Sequence, residues 1–118
     1  MSRPKNCIPV SEAKTLQERW MDTRATDIEA VRGSKDASDF TFSLSDLEEF
    51  VKYVRDESTK QNVQDPGIRV YFAAYNDAKS TKATIFLAPT KKVGVDDLNN
   101  YNIDPLNRGN TGWPPNTY

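Results

Sequence analysis

Residues 68–75 read Ile-Arg-Val-Tyr-Phe-Ala-Ala-Tyr, and residues 83–89 read Ala-Thr-Ile-Phe-Leu-Ala-Pro. β-Branched and aromatic side chains dominate both segments, as they do in strands, and turn-forming residues bound them at 65–67 and 76–77. Two such segments, joined by the polar residues 76–82, predict a pair of neighbouring antiparallel strands, a β-hairpin. This pair decides the fold, and the rest of the chain must pack around it.

Side chains alternate between two faces along the first of these strands. The even face comprises Ile68, Val70, Phe72 and Ala74. The odd face comprises Arg69, Tyr71, Ala73 and Tyr75. We expect the apolar even face to form the core and the half-polar odd face to be covered by another segment. The second strand is apolar on both faces, which favours a central position in the sheet.

Two helices are predicted before the strands. Ser11 is typical of a helix start and Gly33 of a left-handed stop, and a weak stretch at 23–27 allows a break between them. A short strand at 39–42 follows. The second helix is expected from Ser43 or Ser45 onward, because either hydroxyl can cap the free amides. Its apolar face, spaced by three and four, comprises Leu47, Phe50, Val51 and Val54.

Residues 93–118 form an irregular tail rich in Asn and Pro, a composition that favours turns and extended backbone. Disorder is one interpretation of this segment. Docking is the interpretation we favour, because large apolar side chains recur along the tail and the sheet has a face to be covered. These anchors are Tyr101, Ile103, Leu106, Trp113 and Tyr118.

The whole chain, residues 1–118, is predicted to be one domain with a mobile N-terminus at residues 1–9. Its length allows a single core and is too short for two. The expected fold class is α+β. Two N-terminal helices pack on one face of a small, mainly antiparallel sheet, and the irregular C-terminal tail docks on the body.

Charge and hydropathy exclude several classes of partner. The formal net charge is −1, so nucleic acid is not expected as a partner. No apolar run is long enough to cross a membrane, and the first residues lack the apolar stretch of a secretory signal. We therefore expect no membrane association and a cytoplasmic location. The single cysteine, Cys7, cannot form an internal disulfide, which fits a reducing compartment.

Histidine is absent from the chain, which removes the commonest general base near neutral pH, imidazole-dependent triads and most zinc sites. Cys7 lies beside the predicted mobile end, and we assign it no catalysis. The leading expectation is therefore a protein with no catalytic residue, no cofactor and no enzymatic activity.

Oxygen-bearing side chains cluster between Asp96 and Asp104, which raises the question of calcium. In an EF-hand loop starting at Asn100, Pro105 replaces the glycine at the sixth position and Thr111 replaces the closing glutamate, so the motif fails. An irregular cation site and a set of turns are the two remaining interpretations. We predict no metal site.

The candidate binding site combines Arg69, Tyr71 and Tyr75 of the odd face with Asp104 or Trp113 of the tail. A guanidinium fork binds carboxylate or phosphate, and aromatic rings offer a flat surface, so this group can hold a small anion or a planar ligand. The alternative is structural. Arg69 then pairs with Asp104 and clamps the tail, while the tyrosines bury their rings.

Four blocks of the chain resemble a family of small bacterial proteins of uncharacterised activity, and the resemblance covers most of the chain from Val10 onward. The blocks are FSLSDLEEF (42–50), PGIRVYF (66–72), ATIFLAPT (83–90) and the segment from IDPLN (103–107) to GWPP (112–115). The resemblance implies no catalytic residue.

Two functions are consistent with these patterns. The leading expectation is a non-enzymatic cytoplasmic interaction or accessory protein, in which a sheet edge or residues 113–115 meet a protein partner or a second copy. The alternative is a small-molecule or anion-binding protein, or a minor enzyme, that uses Arg69, Tyr71, Tyr75 and Asp104. This alternative requires a concave pocket on the odd face.

Overall fold

The computed structural model describes residues 2–78, 80–93, 98–113 and 115–118. The helices and strands in these ranges are α1 (Val10–Asp22), α2 (Arg24–Arg32), β1 (Phe40–Thr41), α3 (Leu44–Lys60), β2 (Gly67–Ala74), β3 (Ala83–Thr90) and β4 (Asn110–Thr111). This order and the α+β class confirm the prediction from sequence, with α1 and α2 forming one bent helical unit before α3.

The bend between α1 and α2 falls at Thr23, inside the stretch predicted to be weak. The Thr23 hydroxyl donates to the Arg19 carbonyl at 2.5 Å, and the backbone leaves helical geometry there (φ −118°, ψ −82°). α2 ends as predicted at Gly33, whose φ of 81° suits a residue without a side chain. The start of α1 differs from the prediction, because the helix begins at Val10 and Pro9, not Ser11, is the N-cap. The residues of the first turn are exposed, so water can bond the amides that no side chain caps.

α3 begins after Ser43, whose Oγ accepts a hydrogen bond from the Asp46 backbone amide at 3.0 Å. This bond satisfies one of the amides that lack a partner in the first turn. Phe50 and Val54 are buried one helical turn apart, as the three-and-four spacing predicts. The cap thus fixes where the helix starts, and the apolar spacing fixes which side packs.

The Ser43→Ala variant is expected to lower the free energy of unfolding by about 1 kcal/mol, because it leaves the Asp46 amide without its cap. Urea denaturation followed by circular dichroism measures this loss. Ser45→Ala is the matched control, since Ser45 is an exposed position within the helix. Equal stability losses in the two variants would show that the cap contributes nothing specific.

β3 lies between β2 and the C-terminal tail, although the regular sheet consists of two strands, β2 and β3. On one side it pairs antiparallel with β2, in register from Gly67↔Thr90 to Ala74↔Ala83. On its other side lies the tail. The backbone groups of Leu87 and Leu106 exchange hydrogen bonds of 2.8 and 3.0 Å, and the Asn100 amide donates to the Pro89 carbonyl at 2.9 Å. The tail therefore docks along the edge of β3 through isolated backbone bridges.

The hydrophobic core lies between α3 and this edge of the sheet. Phe50 and Val54 of α3 form a buried cluster with Ile103 of the tail, which is only 2% exposed. Leu87 and Leu106 pack against the cluster as partly buried residues. The C-terminal tail therefore supplies part of the core itself, which is the reason that it docks on the body.

The even face of β2 is exposed, contrary to the prediction that it forms the core. Phe72 is 83% exposed and Val70 is 53% exposed. Because the tail docks against β3, β3 has a neighbour on each side, and the centre of the sheet lies at β3. α3 consequently packs against Leu87 and Leu106, and among the described residues no strand pairs with the outer edge of β2.

The α1–α2 unit is linked to the sheet by polar contacts near the start of β3. Arg32 Nη2 donates to Thr81 Oγ1 at 3.1 Å, and the Ala83 amide donates to Asp36 Oδ1 at 2.7 Å. β1 and β4 form a separate two-residue ladder. These contacts hold the helical unit at one end of the sheet without burying it.

The chain exposes a large surface for its length. Its radius of gyration is 16.5 Å, whereas a compact domain of this length has about 13.5 Å. Its accessible surface is 9212 Å², whereas a compact monomer of this mass exposes about 6,500 Å². The chain is therefore less compact than a typical domain of its length.

Candidate functional site

Asn99 of the tail joins Arg69 and Tyr71 on the odd face of β2. Arg69 Nη1 donates to Asn99 Oδ1 at 2.8 Å, and Asn99 Nδ2 donates to Tyr71 Oη at 2.7 Å. A backbone bridge between Thr90 and Asn99 fixes the position of the amide over the strand. The tail thus brings together two of the residues predicted from sequence through a third that was not predicted.

A pocket of about 360 Å³ opens beside this group. Tyr71 and Phe86 stack on its floor, with ring centroids 5.0 Å apart and planes 20° apart. Tyr101, Asp104 and Pro105 of the tail form part of its wall. Tyr71 and Asp104 therefore both line a concave pocket on the odd face, as the binding hypothesis requires, and Arg69 contacts the lining residue Asn99.

Tyr75 and Trp113, the other predicted site residues, do not line this pocket. Tyr75 Oη donates to Asn107 Oδ1 at 3.0 Å, and Asn107 Nδ2 in turn donates to the Ile85 carbonyl at 2.8 Å. Trp113 lies beneath Lys82, whose Nζ is 4.1 Å from the ring centroid. Tyr75 thus anchors the tail, and Trp113 makes a cation–π contact. Residues 113–115 were predicted to meet a partner, and Pro114 of this segment lies outside the described residues.

Sequence reasoning missed the roles of Asn99, Tyr101 and Pro105. Asn99 is one of several asparagines in an irregular segment, and its function follows from a backbone bridge rather than from a motif. Tyr101 and Pro105 enter the pocket because the chain turns between them. The tail contains several asparagines, so the sequence alone does not single out Asn99 as the partner of Arg69.

The Asn99 hydrogen bond lowers the pKa of Tyr71 from its ordinary value of 10.0, and the neighbouring Arg69 lowers it further. Both groups stabilise the tyrosinate, the first by donating to it and the second also by its positive charge. Ionised Tyr71 therefore stabilises the fold. This stabilisation is complete above pH 10.0 and is lost as the pH falls through the lowered pKa of Tyr71 in the folded state.

The Asn99→Ala variant is expected to shift the ionisation of Tyr71 back toward its ordinary pKa, because the largest cause of the lowered value is removed. Ultraviolet absorbance titration, with Tyr71→Phe to assign the signal, measures the change. Asn116→Ala is the control, since Asn116 hydrogen-bonds Asp39 and makes no contact with this group. An unchanged titration in Asn99→Ala would contradict the geometry described for the amide.

The described part of the predicted calcium segment is organised as a turn. The Asn100 side chain is buried, with its Nδ2 donating to Gln61 Oε1 at 2.8 Å and its Oδ1 accepting from the Asn102 amide at 3.1 Å. Asp96 and Asp97 lie outside the described residues. Within the described ranges, no three acidic or cysteine side chains converge as metal ligands would.

The outer edge of β2 is a second candidate site. The Tyr75 amide donates to the Lys82 carbonyl, so the hydrogen-bonded pairs between β2 and β3 fall at the odd residues of β2. The backbone groups of the even residues therefore point away from β3. In the described ranges, β2 pairs with β3 and with no other strand. Phe72 also borders an apolar pocket of about 250 Å³ lined by Trp20, Ile28 and Phe40. Free backbone groups and exposed apolar side chains therefore occur on the same residues.

Comparison with known proteins gives no relative, since no family model, no curated protein and no solved structure matches the chain. None of the helices in the described ranges has the length and apolar character that crossing a membrane requires. The two candidate sites, the odd-face pocket and the outer edge of β2, are therefore the guide to function.

Proposed function

We propose that this chain is a non-enzymatic cytoplasmic protein-interaction or accessory protein, and that the outer edge of β2 binds its partner. The observation that carries the proposal is that the residues of β2 whose backbone groups have no strand partner in the described part of the chain also carry exposed apolar side chains. An extended partner strand would add to the sheet there, gaining main-chain hydrogen bonds and cross-strand contacts with the even-face side chains.

The contrast between the two edges of the sheet supports this assignment. The tail meets the outer edge of β3 with its own backbone bonds, whereas in the described ranges the four even residues of β2 have no strand partner on their outer side. Monomeric proteins usually protect such an edge with lysine, proline or a bulge. β2 carries neither lysine nor proline, and its one charged residue, Arg69, belongs to the odd face. An edge of this kind is typical of a binding strand.

Photocrosslinking tests the proposal. A benzophenone side chain placed at Phe72 is expected to capture a defined protein, whereas the same group at Val31, which is 89% exposed on α2, is the matched control. The captured protein should bind the purified chain directly and should lose binding to Val70→Lys. If nothing is captured at position 72 beyond the level at position 31, β2 is not the binding strand.

A small-molecule site is the second proposed function, favoured by the stacked Tyr71–Phe86 floor and by Asp104 in the wall of the odd-face pocket. The pocket has the volume and the mainly apolar lining of ligand sites. Benzamidine combines a flat ring with a cationic amidinium that Asp104 can bind, so it is the probe. NMR shift changes at Asn99 and Tyr71 that vanish in Asp104→Asn and persist in Trp113→Ala would support the site. No change with benzamidine in the wild type would count against it.

A further inference from the structure

We propose that the partner strand belongs to a second copy of this chain, paired antiparallel with β2 across a two-fold axis. The inference rests on the proposed function and names its partner. A two-fold axis requires a surface that is complementary to itself. An edge strand meets this condition, because an antiparallel neighbour of the same sequence offers the same donors and acceptors in reverse order.

One register uses the whole edge. With the axis at Tyr71, Val70 lies opposite Phe72 of the partner subunit, and Ile68 lies opposite Ala74 of the partner subunit. All four even residues then form hydrogen-bonded pairs, because these are the residues whose backbone groups point outward. The even faces of both copies join into one apolar surface, with β-branched and aromatic side chains as cross-strand neighbours.

Charge disfavours the neighbouring register centred on Arg69. That register places two guanidinium groups directly opposite each other, and like charges in this position are destabilising. In the register centred on Tyr71, Arg69 lies opposite Ala73 of the partner subunit instead. A register centred on Ala73 pairs fewer outward residues and leaves Ile68 without a partner. The sequence of β2 thus selects the Tyr71 register.

The exposed area of the chain agrees with a dimer. The chain exposes 9212 Å², about 2,700 Å² more than a compact monomer of this mass. A stable protein interface buries about 800 Å² on each partner. The excess exposed area is therefore larger than the area that one partner of a stable interface buries. In the proposed dimer, this buried area would come from pairing of β2 and from contacts around the apolar pocket beside Phe72.

Sedimentation analysis over a range of concentrations tests the second-copy inference. The wild type is expected to dimerise, and Val70→Lys is expected to raise the dimer dissociation constant by about 10-fold, because the two cross-strand pairs of Val70 with Phe72 of the partner subunit are lost. Val31→Lys is the matched control and should dimerise like the wild type, since Val31 is exposed on α2. Equal weakening by both lysine variants would overturn the inference.

Disulfide trapping tests the register, in a Cys7→Ser background that removes the exposed native thiol. Val70→Cys and Phe72→Cys chains should form a mixed disulfide when combined, and far less of either homodimeric disulfide when alone. Mass spectrometry distinguishes the three products. A dimer that gives no mixed disulfide would overturn the Tyr71 register.

A wild type that remains monomeric at its highest soluble concentration would overturn the second-copy inference. Capture of another defined protein at Phe72 in that case would leave the proposed interaction function standing. Failure of both dimerisation and capture would remove both proposals.

Discussion

The Ile103→Ala variant is expected to unfold with a free energy about 3 kcal/mol below that of the wild type. Ile103 is 2% exposed and packs with Phe50 and Val54, so the shortened side chain leaves a cavity in a small core. Because the cluster joins the tail to α3, the helix should melt at the same lower urea concentration as the rest of the chain. Circular dichroism and tryptophan fluorescence, followed together, measure both events.

Leu98→Ala is the control for this prediction, since Leu98 lies in the same tail and is exposed. Its effect is expected to stay within about 0.5 kcal/mol, as for surface substitutions generally. If Ile103→Ala also left the unfolding free energy unchanged, the tail would not be part of the core, and the central position of β3 would lose its explanation.

The Asn100→Ala variant is expected to lose about 2 to 3 kcal/mol of stability, because it breaks two hydrogen bonds in a buried place. Asn100 Nδ2 donates to Gln61 Oε1 at the end of α3, and Asn100 Oδ1 accepts from the Asn102 amide. Removal of the side chain leaves both partners without these bonds and loosens the link between helix and tail. Urea denaturation measures the loss.

The Asn102→Ala variant distinguishes the stability contributed by the buried Asn100 side chain from a general effect of asparagine on the turn. Asn102 is exposed and occupies the same turn, so its truncation is expected to cost little. Similar losses in the two variants would mean that turn propensity, rather than the bonds made by the Asn100 side chain, stabilises this segment.

Local chemistry was sufficient to predict the elements of the fold. The alternation in 68–75 identified β2, the apolar character of both faces of 83–89 identified a central β3, and Gly33 identified the end of α2. The exposure of the even face of β2 was not predictable in the same way. It depends on backbone bonds between Leu87 and Leu106, and an Asn- and Pro-rich tail carries no periodicity that would place them.

The residues of the candidate site were likewise predictable from the sequence only in part. Alternation alone put Arg69 and Tyr71 on one face, and docking of the tail brought Asp104 to the same pocket. Asn99 was not predictable, because its role follows from pairing with Thr90 rather than from its residue type. Tyr75 was assigned to the site from its face alone, although its hydroxyl bonds Asn107 at another place along the strand.

Because Ile103 completes the core, the timing of synthesis matters for this protein. The hairpin ends at Thr90, and Leu106 follows sixteen positions later. At translation rates of about 5–20 residues per second, the segment that meets β3 follows the hairpin by roughly one to three seconds. A fragment that ends before Leu106 would lack this neighbour of β3, so it is expected to aggregate more readily than the whole chain.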